Sequence, residues 1–411
     1  MTSICLYFKV HQPYRLKRYE AKDIDACHCY EDPEADKANI NRLADQCWLP
    51  ANEIIYRQLL QHKGRFRCSF SISGVTLELM QRYRPDVIDS FRKLAATGYV
   101  DFTGETYYHS LSSLYAANEF QRQVLQHTKL ISQLFDISPI IFRNTELIHN
   151  NRIATLVSGL GFKALLCEGV GRILKGRDAN EVYAAPGADD LYLLLRNARL
   201  SDDIAFHFND PAWSAHPLTA AKFAQWLHQH PAGTGVINLL MNYETFGVHK
   251  KPETGIFDFL DSLPAAVFAN DNFIFSTAEH ILEEKFPKGL YDVPQTMSWE
   301  DHSASSCAWC ENVMQNNTLK KIYSIENLVM HSTDQRAAAL WGRLQAADYF
   351  YSMAEDSRRE SAAQHVADSS PREVFQHYTN IVADFEISLI KKVIEGKKSN
   401  SRRIPFNILS H

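Results

Sequence analysis

No stretch of the 411-residue chain is apolar for long enough to span a bilayer, and no basic-then-apolar leader precedes its first strand-like run. Both lacks lead to the expectation of a cytoplasmic protein with no membrane partner. A cationic excess is missing too: 43 Lys and Arg face 48 Asp and Glu, a net charge of −5. That balance argues against a nucleic-acid or anionic-membrane partner. There is no internal repeat and no low-complexity tract. The eight cysteines make no disulfide framework in a chain of this size and are expected to be free thiols. Two close pairs, Cys27-His28-Cys29 and Cys307-Ala308-Trp309-Cys310, could be imagined around zinc. The first lies in a polar, loop-like stretch and the second opens a helical pattern, so no metal site is expected from them. What the chain does have is an ordinary globular composition, 45% apolar and 22% charged, enough for a sizeable core and two domains.

Short apolar runs alternate with helix-period stretches as far as about residue 285. Strands are expected at 4–10, 66–72, 100–103, 140–145, 163–167, 191–196, 236–242 and 273–275. Amphipathic stretches at 54–61, 87–95, 119–135 and 219–228 separate them. Repeated β-then-α order implies a parallel sheet covered by helices, and seven or eight units in succession favour a nearly closed barrel over an open sheet. Beyond Trp299 the pattern changes to long helix-period runs over 312–356 and 371–397. The fold class is therefore α/β, an incomplete (β/α)7 barrel over 1–290 followed by a C-terminal helical domain over 291–411. A polar stretch at 355–370 is expected to be an exposed loop.

Several of the strand ends carry clustered polar groups. The first runs into His11-Gln12-Pro13, the third into Gly104-Glu105-Thr106-Tyr107-Tyr108-His109-Ser110. The fourth runs into Phe142-Arg143-Asn144-Thr145-Glu146, and the strand over 236–242 into Asn242-Tyr243-Glu244. In a parallel barrel these ends open on one face, where such folds keep their chemistry. Aromatic rings beside carboxylates and amides suit a sugar, whose apolar face stacks while its hydroxyls take hydrogen bonds. Glycosidic cleavage with retention needs two carboxyls about 5–5.5 Å apart.

Five motifs in order carry a resemblance to glycoside hydrolase family 57, within it the α-amylase-like group. They are His11-Gln12-Pro13; Gly104 to Leu111; Phe142-Arg143-Asn144-Thr145-Glu146-Leu147-Ile148; Met241-Asn242-Tyr243-Glu244-Thr245-Phe246-Gly247; and Ser298-Trp299-Glu300-Asp301 with Ala308-Trp309 and Asn312-Val313-Met314-Gln315. Leu200-Ser201-Asp202-Asp203-Ile204-Ala205-Phe206 is also similar to a stretch of that group. The resemblance covers residues 4 to about 320. It implies a retaining mechanism on α-1,4-linked glucans, with α-glucan or maltooligosaccharide as partner and no metal or organic cofactor. On its match Glu146 takes the nucleophile position. Asn242 falls where active members carry the acid/base Asp. His11, Glu105, His109, Trp213, Trp299 and Asp301 are the candidate substrate-binding residues. A metal held by His11, Glu105 and His109 has no His-x-x-x-His or His-Glu-x-x-His spacing behind it.

Asn242 decides what such a site can do, because an amide has no titratable proton near neutral pH and cannot protonate a leaving group. Two further motifs depart from the group in the same sense. Small residues, Ser303-Ala304-Ser305-Ser306-Cys307, replace a Glu-Arg-Asp-Leu-Ser stretch, and Glu168-Gly169-Val170-Gly171-Arg172 lacks its usual Asp. Glu244, two residues beyond Asn242, faces the same side if the strand persists and is the candidate substitute acid. The expectation is an amylase-like protein with impaired hydrolysis. An active α-glucan hydrolase or transferase using Glu244 is one alternative, and a non-catalytic scaffold is the other.

Overall fold

The computed structural model describes residues 1–26, 28–231, 235–299, 308–332, 334, 336–354 and 370–401. The chain divides into two compact units, one of Met1–Gln12 with Glu34–Cys307, the other of Pro13–Pro33 with Ala308–His411. The first unit is a barrel-like sheet. Its strands are β1 (Thr2–Val10), β2 (Cys68–Ile72), β3 (Val100–Phe102), β4 (Ile141–Arg143), β5 (Ala164–Glu168), β6 (Val182–Ala185), β7 (Ala188–Arg196), β8 (Val236–Asn242) and β9 (Phe273–Phe275). Seven of them form a parallel path in the order β3-β2-β1-β8-β7-β5-β4, and β9 pairs parallel with β1 off that path. The expected incomplete seven-stranded α/β barrel, with a helical C-terminal region, is the fold observed.

The ring is closed at one point by a single bridge. Gly104, just past β3, donates its N–H to Ile141 O at 2.8 Å, and its carbonyl accepts from Arg143 N–H at 2.8 Å. A Cβ at Gly104 would lie 2.6 Å from the Phe162 ring, so only glycine lets the backbone approach this closely. At the other weak seam β7 and β8 share one register pair, Arg196 with Asn238. Side chains replace ladder bonds there: Arg196 Nε donates to Leu240 O at 3.0 Å and Asn238 Nδ2 to Leu195 O at 3.0 Å.

One strand escaped the sequence reading. Val182–Ala185 forms β6, antiparallel to β7 through a hairpin with Gly187 at φ 73°. Four residues, two of them alanine, give too short an apolar run to stand out.

Helices cover the sheet with the apolar face that their period sets. In Ala117–Phe135, Phe120, Val124, Ile131 and Leu134 are buried, and the helix Ala220–His228 is capped by Thr219, whose side chain accepts from Lys222 N–H. Among the described residues no helix is long and apolar enough to cross a membrane.

The second unit is helical. Its longest element, Pro371–Ser401, holds the 13–33 segment through the buried Asp384. That carboxylate accepts from Tyr30 Oη at 2.7 Å, His28 Nδ1 at 2.8 Å and Tyr19 Oη at 2.9 Å.

Candidate functional site

The C-terminal ends of the parallel strands bring most of the expected residues together. Lys9 near the end of β1 pairs in register with Ser71 of β2 and Asn242 of β8. Residues paired this way project to one face of a parallel sheet. Because the Lys9 ammonium reaches the Glu146 carboxylate, that face is the interior of the ring. Asn242, Lys9 and Ser71 therefore line one mouth, with Asn242 exposed at its rim.

Glu146 sits in the loop after β4, in a short turn Thr145–Leu147. Its φ is 52° and that of Leu147 is 51°, the left-handed region that non-glycine residues avoid; His109 shares it at φ 53°. Such strain costs on the order of 1–3 kcal/mol per residue and persists where surroundings over-determine it. Here the surroundings are visible. Asn144 Nδ2 donates to Ile148 O at 2.8 Å and to Ser113 Oγ at 3.0 Å, and the Thr106 and Thr145 hydroxyls meet at 2.9 Å. The Glu146 carboxylate is buried under three donors. Lys9 Nζ and His109 Nε2, the latter at 2.6 Å, share Oε1, while Trp299 Nε1 donates to Oε2 at 2.7 Å. Burial alone would push this carboxyl up; the Lys9 charge and then the His109 contact hold it well below the usual carboxylate range.

Behind it lies a second buried anion, Glu105. It accepts from Ser71 Oγ at 2.8 Å and Arg143 Nη2 at 3.1 Å, with His109 Nδ1 3.4 Å away. Arg143 also donates from Nε to Ser71 Oγ at 2.8 Å. Burial opposes ionisation here too, but Arg143 and then His109 keep the carboxyl below its ordinary range. His109 thus bridges two carboxylates, and its ring stacks on His11 at 3.9 Å. His11 is held by Ser73 Oγ at 2.7 Å.

Glu244 occupies a different setting. It is buried in the wall, where Trp48 Nε1 donates to its Oε1 at 3.3 Å, and burial pushes its carboxyl up to about 7. The contact comes from the π-helical turn Ala44–Trp48, which also offers Cys47 Sγ to Tyr243 O at 3.1 Å. Gly247 ends the motif because its φ is 98° and a Cβ would strike Gln46 O at 1.9 Å. Glu168 and Asp202, from the two further motifs, converge on buried Arg196, whose Nη1 lies 3.1 Å from Glu168 Oε2.

Of the expected platform residues, Trp299 is at the site and its ring lies nearly parallel to Phe206 with centroids 6.3 Å apart. Trp213 packs instead against His207 and Trp226. Asp301, with Glu300, Cys27 and the 303–307 block, lies outside the described residues. Lys9, Ser71 and His127 were not named from sequence. Lys9 had a signal: a lone charge in phase with Cys5 and Tyr7 after the apolar run Ile4–Phe8.

His149 was also missed. It is buried three residues past Glu146, neither ring nitrogen has a hydrogen-bond partner among the described residues, and burial lowers its pKa from 6.5 to about 3. The native state therefore refuses a proton that the unfolded chain accepts below pH 6.5, so stability falls on acidification from there towards 3. Replacing His149 with Leu should flatten that limb. Urea unfolding at pH 7 and pH 4 should show the wild type losing about 3 kcal/mol more than the variant. Equal losses would contradict this origin.

With this geometry in view, comparison with known proteins places the chain in a family. The glycosyl hydrolase family 57 model matches residues 5–294, and the chain belongs to that family. It is 35% identical to the "Putative alpha-amylase" of Methanocaldococcus jannaschii, over 97% of this chain and 88% of that one. Among solved structures it is similar to a 4-alpha-glucanotransferase from Thermococcus litoralis, with TM-score 0.70 and 13% identity, covering 92% of this chain and 59% of that one. A GH57 branching enzyme from Thermococcus kodakaraensis aligns with TM-score 0.65 and 14% identity, over 96% of this chain and 94% of its own. At these identities the two structures speak for the fold.

Proposed function

We propose that this protein is an amylase-like member of the family that binds α-glucan oligosaccharides in the cytoplasm and keeps a retaining-type nucleophile, Glu146, without a working acid. The observation that carries this reading is the contrast across one mouth. Glu146 is held ionised and fixed by Lys9, His109 and Trp299, while position 242 on the same face carries an amide. The names of the relatives, a 4-alpha-glucanotransferase, a branching enzyme and an amylase, support glucan as the ligand class. Trp299 and Phe206 offer it a stacking surface.

In this mechanism a Glu146 oxygen bonds to the anomeric carbon as the bond to the leaving group breaks, and the electron pair departs with that group. Fluoride leaves without protonation; a sugar alkoxide does not. General acid assistance is worth ~10²–10⁴-fold. The wild type should therefore release fluoride from α-glucosyl fluoride as Glu146 takes the glucosyl group, with water then displacing that group slowly because no base at 242 takes its proton. It should lose this activity in Glu146→Gln, and cleave maltooligosaccharides slower by roughly that factor. Calorimetry should still register maltooligosaccharide binding.

A second reading has one observation in its favour. The Glu244 carboxyl, raised to about 7, titrates where a general acid should. Its burial beside Trp48, in the wall of the barrel, speaks against it. Brisk wild-type turnover of maltooligosaccharides, abolished in Glu244→Gln, would establish this reading and overturn the first. Absence of both binding and turnover would leave a scaffold.

A further inference from the structure

We infer that Lys9 is a positioning residue that holds Glu146 through an ion pair and places a cation beside residue 242, where a proton donor would have to work. The inference rests on Glu146 being the nucleophile and adds a second reason for poor hydrolysis, independent of the amide. Three observations carry it. Lys9 forms an ion pair with Glu146 Oε1. It is the register partner of Asn242, and adjacent strands lie ~4.8 Å apart. Both charges are largely withdrawn from water, with side chains 15% and 9% exposed, so solvent screens their attraction weakly.

Among the described residues, the other charged groups near the site do not duplicate Lys9. From the loop after β3, His109 contacts the same oxygen but is shared with Glu105. His11 stacks on His109 and is tied to Ser73. Arg143 of β4 spends its donors on Glu105 and Ser71 and approaches His109. His127 contacts the Glu105 N–H with Nδ1 at 3.3 Å and the Ile72 carbonyl with Nε2. Trp299 is neutral, and Glu244 feels the Lys9 charge from the wall. Lys9 is the cation that touches Glu146 directly and also neighbours position 242.

The consequence concerns any acid placed at 242. A carboxyl there would meet the ammonium that already holds Glu146, and an opposite charge at such range lowers a carboxyl pKa by about 1–3 units. The donor would be ionised when it should be protonated. Lys9 thus accompanies the amide in a one-anion, one-cation mouth, in place of a pair of carboxyls that share it.

The test is the pH dependence of kcat/KM on α-glucosyl fluoride for wild type, Lys9→Gln and Lys9→Arg. Loss of the cation should move the acidic limb up by about one pH unit or more, whereas Lys9→Arg should leave it within a few tenths. A limb unmoved in Lys9→Gln overturns the inference, because a merely structural lysine would alter rate and stability without moving it. A direct reading comes from NMR titration of wild type labelled with 13C at its Glu carboxyls, Glu146→Gln identifying the resonance. Titration of Glu146 well below 4.5 supports the inference even if Lys9→Gln fails to fold, and titration near 4.5 overturns it. Wild type inert to the fluoride would defeat the nucleophile assignment, and the NMR titration would still decide the Lys9–Glu146 pair.

Discussion

Changing Asn242 to Asp should raise the cleavage of maltooligosaccharides by about 10²-fold, and adding Lys9→Gln should carry the gain towards ~10⁴-fold. The single variant restores a carboxyl on the inward face of β8, at the mouth where Glu146 is held. It falls short of the full effect because its register partner is Lys9, whose charge keeps the new acid ionised. Each pKa unit lost cuts the protonated fraction tenfold at a given pH, so a shift of one to three units removes much of what the carboxyl could contribute. Removing the lysine as well frees both carboxyls to divide the roles that glycoside cleavage demands, one ionised and one protonated. The measurement is the initial rate of maltooligosaccharide hydrolysis for the wild type, both single variants and the double. A control with Glu146→Gln added must erase any gain. If neither Asn242→Asp protein gains while each remains folded and turns over the fluoride, position 242 is not the missing acid.

The sequence and the structure meet unevenly in this site. Strands were legible because each buried strand is a short apolar run bracketed by polar residues, and their parallel order followed from the helices between them. Strand-end polar clusters were legible for the same reason, and Glu105, His109 and Glu146 do converge. What stayed hidden were partnerships between residues far apart in the chain. Lys9 and Glu146 are 137 positions apart and Ser71 and Arg143 are 72; the lone charge on β1 marks Lys9 as unusual without naming its partner, and Ser71 carries no local mark at all. Trp299, the better platform candidate from sequence because Asp301 follows it closely, is the one that donates to Glu146, whereas Trp213 packs against His207 and Trp226. Left-handed backbone at three non-glycine residues of the site was equally invisible, since no propensity scale predicts strain imposed by packing.

Removing the positive charge at Arg143 should cost more stability than any other single change in the site. Arg143 is 1% exposed and Glu105 fully buried, so Arg143→Met strands a carboxylate in the barrel with Ser71, His109 and His127 beside it and no guanidinium. Breaking one partner of such a pair costs about 3–5 kcal/mol, whereas replacing both by neutral groups of similar size is often close to neutral. The double variant Arg143→Met with Glu105→Gln should therefore recover most of the loss, and urea unfolding of the four proteins gives the coupling between the two residues. The pH dependence fixes the cause. In the wild type the native Glu105 carboxyl lies below 4.5, so its contribution is present above that pH and fades as pH falls through the native value. Without Arg143 burial dominates and the native carboxyl rises above 4.5, which reverses the sign. The single variant should then regain stability relative to wild type on acidification, and the double variant should show no such recovery. A deficit in Arg143→Met that is constant between pH 7 and pH 4 would mean that the guanidinium acts through packing, and that the buried Glu105 charge is balanced by the histidines instead.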